Sequence, residues 1–186
     1  MEKVIISVVG HDRPGIVAAL SSALFALDCN IESVSQTILQ SVFGAILVVA
    51  APDGLKGQEI EASLGKAVSH LHLDVAVRPF PVDETPGEIM PKDSDSFVIT
   101  TMGPDRKGLV AATTKVMADH EVNITNLKAV FKGGDNPLDN LMIYEVTIPG
   151  QVTLSDLCRE LEAATAGLGL QINIQHRHIF EAMNRI

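Results

Sequence analysis

The sequence predicts an α+β chain made of two copies of one β-α-β-β-α-β module, each an antiparallel four-stranded sheet with its helices on one face. Three observations carry that reading. The first is a repeat at an offset of 93 residues: Gly10-His-Asp-Arg-Pro-Gly-Ile-Val-Ala-Ala19 aligns without a gap on Gly103-Pro-Asp-Arg-Lys-Gly-Leu-Val-Ala-Ala112, with seven identities in ten positions. The second is the helical spacing shared behind it, by Ile16, Val17, Leu20, Ala23, Leu24 and Leu27 in one copy and by Leu109, Val110, Thr113, Val116, Met117 and His120 in the other. The third is the stretch from Pro79 to Pro91, whose four prolines and acidic Asp83, Glu84 and Glu88 read as an exposed linker. The expected organisation is a first domain over 1–80, a linker over 81–94, and a second domain over 95–186 with a short C-terminal tail.

In the first copy a strand over 3–9 leads through Gly10 to Pro14 into a helix over 15–27. Strands over 31–40 and 43–50, a helix over 56–70 and a strand over 72–79 follow. The second copy reads as 96–102, 108–119, 123–131, 140–148, 153–167 and 169–176. Pro14 is expected in the first helical turn, where its missing N–H costs little, and Gly54 and Gly150 lie just ahead of the second helices. This order is that of a ferredoxin-like fold, with strands one and three central and strands two and four at the edges. The residues agree: Val4-Ile5-Ile6, Ala45 to Val49 and Leu141-Met142-Ile143 are apolar on both faces, whereas Leu170, Ile172 and Ile174 alternate with Gln171, Asn173 and Gln175. Helices cover only one face of each sheet. The apolar second face predicts sheet-to-sheet packing, in a homodimer or in an internal pseudo-dimer.

Composition narrows the function. The chain has 186 residues, 46% apolar and 20% charged, and holds no apolar run of eighteen that could cross a bilayer as a helix. The N-terminus, with Glu2 and Lys3 directly before an alternating run, lacks the pattern of a secretory signal, so a cytoplasmic chain is expected. Cys29 and Cys158 are too few for a disulfide framework or a zinc site and are expected to be buried thiols. A net charge of −9, shared equally among the two copies and the linker, argues against direct nucleic-acid binding.

Asp12-Arg13-Pro14-Gly15-Ile16-Val17, followed by a helix and then Cys29-Asn30-Ile31, resembles the signature of ACT domains, the βαββαβ modules that sense amino acids. Asp105-Arg106-Lys107-Gly108-Leu109-Val110, with Val122-Asn123-Ile124, resembles it less closely. Tandem chains of this size are similar to the regulatory proteins of the glycine cleavage system, and to the regulatory half of some phosphoserine phosphatases. The resemblance implies a small amino acid bound at module interfaces, without a cofactor.

The residue types suit that ligand. The turn into each first helix offers unpaired backbone N–H groups and a positive dipole end to a carboxylate. Gly15 and Gly108 allow close approach to the backbone ahead of Ile16 and Leu109. Asp12 and Asp105 are placed to accept from an ammonium, and Arg13 and Arg106 to hold an anion. Asn30 and Asn123, opening the next strand beside Ile31 and Ile124, bridge to the ligand from that strand or from a facing module. His11 adds a side chain in one copy only, since Pro104 stands in its place in the other.

Each residue has a plainer alternative. Asp12 and Asp105 are equally suited to cap their helices, the arginines to surface pairs, and the asparagines to strand-start turns. Cys29 aligns with Val122 and Cys158 lies between Leu157 and Leu161, so both suggest core packing. His70 with His72, and His176 with His178, share one side of an extended strand, but neither pair has a third ligand at useful spacing and no metal site is expected. The segment from Gly133 to Pro137 reads as a hairpin loop, and Ile179, Phe180 and Met183 of the tail are expected to dock on the protein or a partner.

The leading expectation is a non-catalytic sensor that binds a small amino acid, glycine or serine first, and signals to a transcription factor or a metabolic enzyme. The alternative is a ligand-free adaptor working through its dimer surface. An acylphosphatase-like enzyme on this fold needs a loop that attracts phosphate, which Asp12 repels, and no Gly-x-Ser-x-Gly elbow is present.

Overall fold

The computed structural model describes residues 2–81, 91–131 and 140–183, and the chain divides into two compact units, Met1–Glu84 and Thr85–Ile186. The first contains β1 (Glu2–His11), α1 (Ile16–Ala26), β2 (Asn30–Leu39), β3 (Val42–Ala51), α2 (Gly57–Val68), a 3-10 turn at Ser69–Leu71 and β4 (Leu73–Pro79). The second repeats the order with β5 (Asp95–Met102), α3 (Leu109–Asp119), β6 (Asn123–Phe131), β7 (Asn140–Ile148), α4 (Leu154–Thr165), a 3-10 turn at Ala166–Leu168 and β8 (Gln171–His176). A further helix, α5 (Arg177–Met183), then forms from the tail.

The sheets are fully antiparallel in the orders β2-β3-β1-β4 and β6-β7-β5-β8, so strands one and three of each module are central, as the hydropathy requires. Alternation along the strands turns Val4, Ile6, Val8, Leu47 and Val49 toward α1 and α2, where they meet the buried Leu20, Leu24, Ile60 and Leu64. In the second module Ile99, Tyr144 and Val146 meet Met117, Leu157 and Leu161 in the same way.

The first helices end alike. Asp28 (φ 56°) and Glu121 (φ 55°) enter the left-handed region, and the next amides, of Cys29 and Val122, donate back to Leu24 and Met117 at 3.0 and 2.9 Å. Both helices begin after Gly15 and Gly108, so Pro14 stands ahead of the first turn and not within it.

The opposite, outward sheet faces differ. In the first module Val9, Val42 and Ile46 are about half exposed there, while in the second α5 packs against β5 and β8 and the outward-facing Val98 is buried.

Several expectations are corrected. Cys158 is only half-buried, its thiol 3.7 Å from Glu162 Oε1, because Leu157 and Leu161 already fill the inward face of α4. Cys29 is half-buried too, at the core's edge. Burial, with a neighbouring carboxylate second, raises the pKa of both thiols, which are poor nucleophiles. The histidine pairs do not share strands: His70 lies in a 3-10 turn and His178 in α5. Among the described residues no group of three His, Cys, Asp or Glu is placed to hold a metal, and no helix is long and apolar enough to cross a membrane. Most of the predicted linker and the whole Gly133–Pro137 loop lie outside the described residues.

Candidate functional site

The two aligned turns have one geometry. Gly15 adopts φ 97° and Gly108 φ 93°, a left-handed conformation that L side chains enter only at a cost. From that bend the backbone drops directly into a helix. The first helical bonds are Ala19 N–H to Gly15 O and Ala112 N–H to Gly108 O, both 2.9 Å. The amides of Ile16, Val17 and Ala18, and of Leu109, Val110 and Ala111, precede the ladder and point out of the helix end. Ile16 and Leu109 are themselves buried core anchors that contribute only their backbone.

Neither aspartate caps its helix. The N-cap residues are the two glycines, with no side-chain cap bond, which overturns the capping alternative for Asp12 and Asp105. Asp12 is positioned by its main chain, whose N–H donates to Ser41 O in the β2–β3 turn at 2.8 Å. Among the described residues neither carboxylate has a hydrogen-bond or ion-pair partner. His11 turns onto its own backbone, Nδ1–H donating to Asp12 O at 3.0 Å. The aligned glycines ahead of the turn have a packing reason: a Cβ on Gly10 would come 3.0 Å from His72 O, and one on Gly103 would come 3.0 Å from Gly169 O.

Each turn faces an open cleft. The first, of about 210 Å³, is lined by Asp12, Arg13 and the Gly15–Ala18 backbone, with Gln36, Ile38 and Phe43 forming the opposite wall. The second, of about 390 Å³, is lined by Asp105, Arg106 and the segment from Gly108 to Ala111. Sequence reasoning missed the strand wall. Its signal lies in register, because Gln36 opposite Ala45 and Ile38 opposite Phe43 extend the inward face beyond the reach of α1.

Asn30 is not brought to Asp12 within its module. Register places Asn30 opposite Ala50, which is opposite Lys3, eight residues along β1 from His11, or about 26 Å at strand rise. Asn30 lines a separate cleft of about 440 Å³ with Ser21, Ser22, Phe25, Cys29 and Ile31. Asn123, opposite Thr147, is likewise at the far end of its sheet from Asp105. Ile31 and Ile124 pack against their cores.

A sheet of this strand order with two helices on one face, and a glycine bend at the first strand-to-helix turn, defines the class; residues 2–78 match the ACT domain family. The chain belongs to that family. It is 35% identical over 89 residues to a UPF0237 protein of Methanocaldococcus jannaschii, covering 48% of this chain and 96% of that one. A UPF0237 protein of Methanopyrus kandleri is 37% identical over 79 residues, covering 42% and 88%. Two crystal structures share the fold over both modules. An unknown protein from Galdieria sulphuraria has a TM-score of 0.74 and 24% identity, with 94% of this chain and 98% of that one covered. A protein provisionally named a glycine cleavage system transcriptional repressor has a TM-score of 0.67 and 18% identity, with 94% and 96% covered.

Proposed function

We propose that the chain is a non-catalytic regulatory protein that binds a small amino acid at its ACT turns and passes the binding on to a protein partner. The observation that supports this best is the pair of turns, each open, each presenting unladdered amides beside an aspartate that does no capping work. The ligand carboxylate takes the amides, aided in the first module by Arg13, and the ammonium takes Asp12 or Asp105. Asn30 acts from a second copy of the chain. If two β2 edges pair antiparallel, the Asn30 end of one strand lies against the Asp12 end of the other, which completes the site in a homodimer. Ligand then favours the closed dimer and changes its affinity for a transcription factor or a metabolic enzyme. A cytoplasmic setting in glycine or serine metabolism fits the name of the second fold neighbour.

Calorimetric titration of the full chain with the twenty common amino acids tests this, glycine and serine first. Binding of one of them is expected, weakened at least about tenfold by Asp12→Ala, the loss of one charge-assisted bond. Absence of heat or thermal stabilisation with all twenty rejects the sensor reading. A second reading, an adaptor without ligand, draws on the exposed Val17 and Phe25 of α1, 50% and 85% accessible. It predicts unchanged partner binding in Asp12→Ala and Asn30→Ala.

A further inference from the structure

Helix α5 starts without a loop, since β8 ends at His176 and the helix begins at Arg177. His176 therefore stands at the N-cap, and its ring uses both nitrogens. Nδ1 accepts from the His178 N–H at 3.3 Å, one of the orphan donors of the first turn. Nε2–H donates to Asp95 Oδ2 at 3.1 Å, so the ring is neutral with its proton on Nε2. The other Asp95 oxygen accepts from Ser96 N–H at 2.8 Å; that amide first, and the His176 ring second, hold the Asp95 carboxyl below the usual range. Phe97 meets the His176 ring edge-on, with centroids 5.2 Å apart.

We propose that α5 is a pH-sensitive clasp on the outward face of the second sheet, released when His176 takes a second ring proton. A protonated Nδ1 cannot accept, so the cap is lost. The new charge sits at the positive end of the helix dipole, beside Arg177 and the His178 ring 5.1 Å away. Asp95 keeps its bond to Nε2 and accommodates the proton, which leaves the cap as the contact that breaks. Other charges nearby are engaged: Arg177 with Glu145 on β7 at 3.6 Å, and on α4 Asp156 with Arg159 at 2.8 Å and Glu162 with the Cys158 thiol. A helix of seven residues does not persist without its cap and its packing. Its release uncovers β5 around Val98, 2% exposed while α5 is docked.

Hydrogen exchange of the full chain tests the clasp, read on the peptide over 177–183 at about pH 7.5 and about pH 5.5, either side of ordinary imidazole titration. After correction for intrinsic exchange rates, about fivefold faster exchange is expected at the lower pH, the effect of one lost cap. His176→Asn, which caps without titrating, is expected to abolish the response, and His178→Asn to retain it. Equal protection at both pH values, no protection at either, a response persisting in His176→Asn, or one lost in His178→Asn overturns the proposal.

Discussion

Helix α1 carries no charged side chain over its eleven residues, while α3, its counterpart, carries Lys115 and Asp119 paired at 3.0 Å on the exposed face. The positions 93 residues earlier are Ser22 and Ala26. The cores differ as well. Where the first module buries Leu20 and Leu47, the second buries Thr113, whose hydroxyl donates to Leu109 O at 2.9 Å, and Tyr144, whose hydroxyl donates to Met142 Sδ at 3.2 Å. Burial raises the Tyr144 pKa, with the Thr113 side chain opposing it, so the phenol stays protonated. The two modules have therefore diverged inside and outside while keeping the glycine bend, Asp and Arg of the turn. The glycines have a backbone reason to persist and the aspartates have no capping role. This contrast makes the turn the site and the outward face of α1 the natural place for a partner.

The largest effects should come from the cores. Leu64→Ala and Leu161→Ala remove fully buried side chains from equivalent helices, and each is expected to cost its module about 3 kcal/mol in denaturant titrations. A much smaller loss in one of them would show that its core recloses. Next come the bends. No atom lies within 4 Å of a Cβ built on Gly15 or Gly108, so alanine there pays only for backbone conformation, about 1–2 kcal/mol and equally in both. Unequal losses would break the symmetry of the turns. Tyr144→Phe, compared by thermal melting, is expected to cost no more than about 1 kcal/mol because its acceptor is a thioether. The smallest change is Lys115→Ala, about 0.3–0.5 kcal/mol for an exposed i,i+4 pair, fading with added salt. Moving that pair to α1 with Ser22→Lys and Ala26→Asp should leave folding within about 0.5 kcal/mol, yet weaken self-association in light scattering if α1 faces the second copy.

Much of this was legible along the chain. Hydropathy periods and an ungapped repeat are local signals, and they placed both modules, the central strands and the two turns. Boundaries moved by a residue or two where a glycine bend or a 3-10 turn replaced the helix end. Cys158 was misplaced because one position on a helix, about 100° of rotation, separates an inward side chain from a half-exposed one. The tail's regular helix was not foreseen, since a short helix depends on a cap and a docking surface supplied from elsewhere.

What the sequence determined by itself was the architecture, because burying apolar residues at a period of two or of 3.6 leaves few ways to fold a chain of this order. Only the tertiary structure decided which residues share a site. Strand register, set by pairing between distant segments, sends Asn30 about 26 Å along the sheet from Asp12 and brings Gln36, Ile38 and Phe43 to the cleft instead.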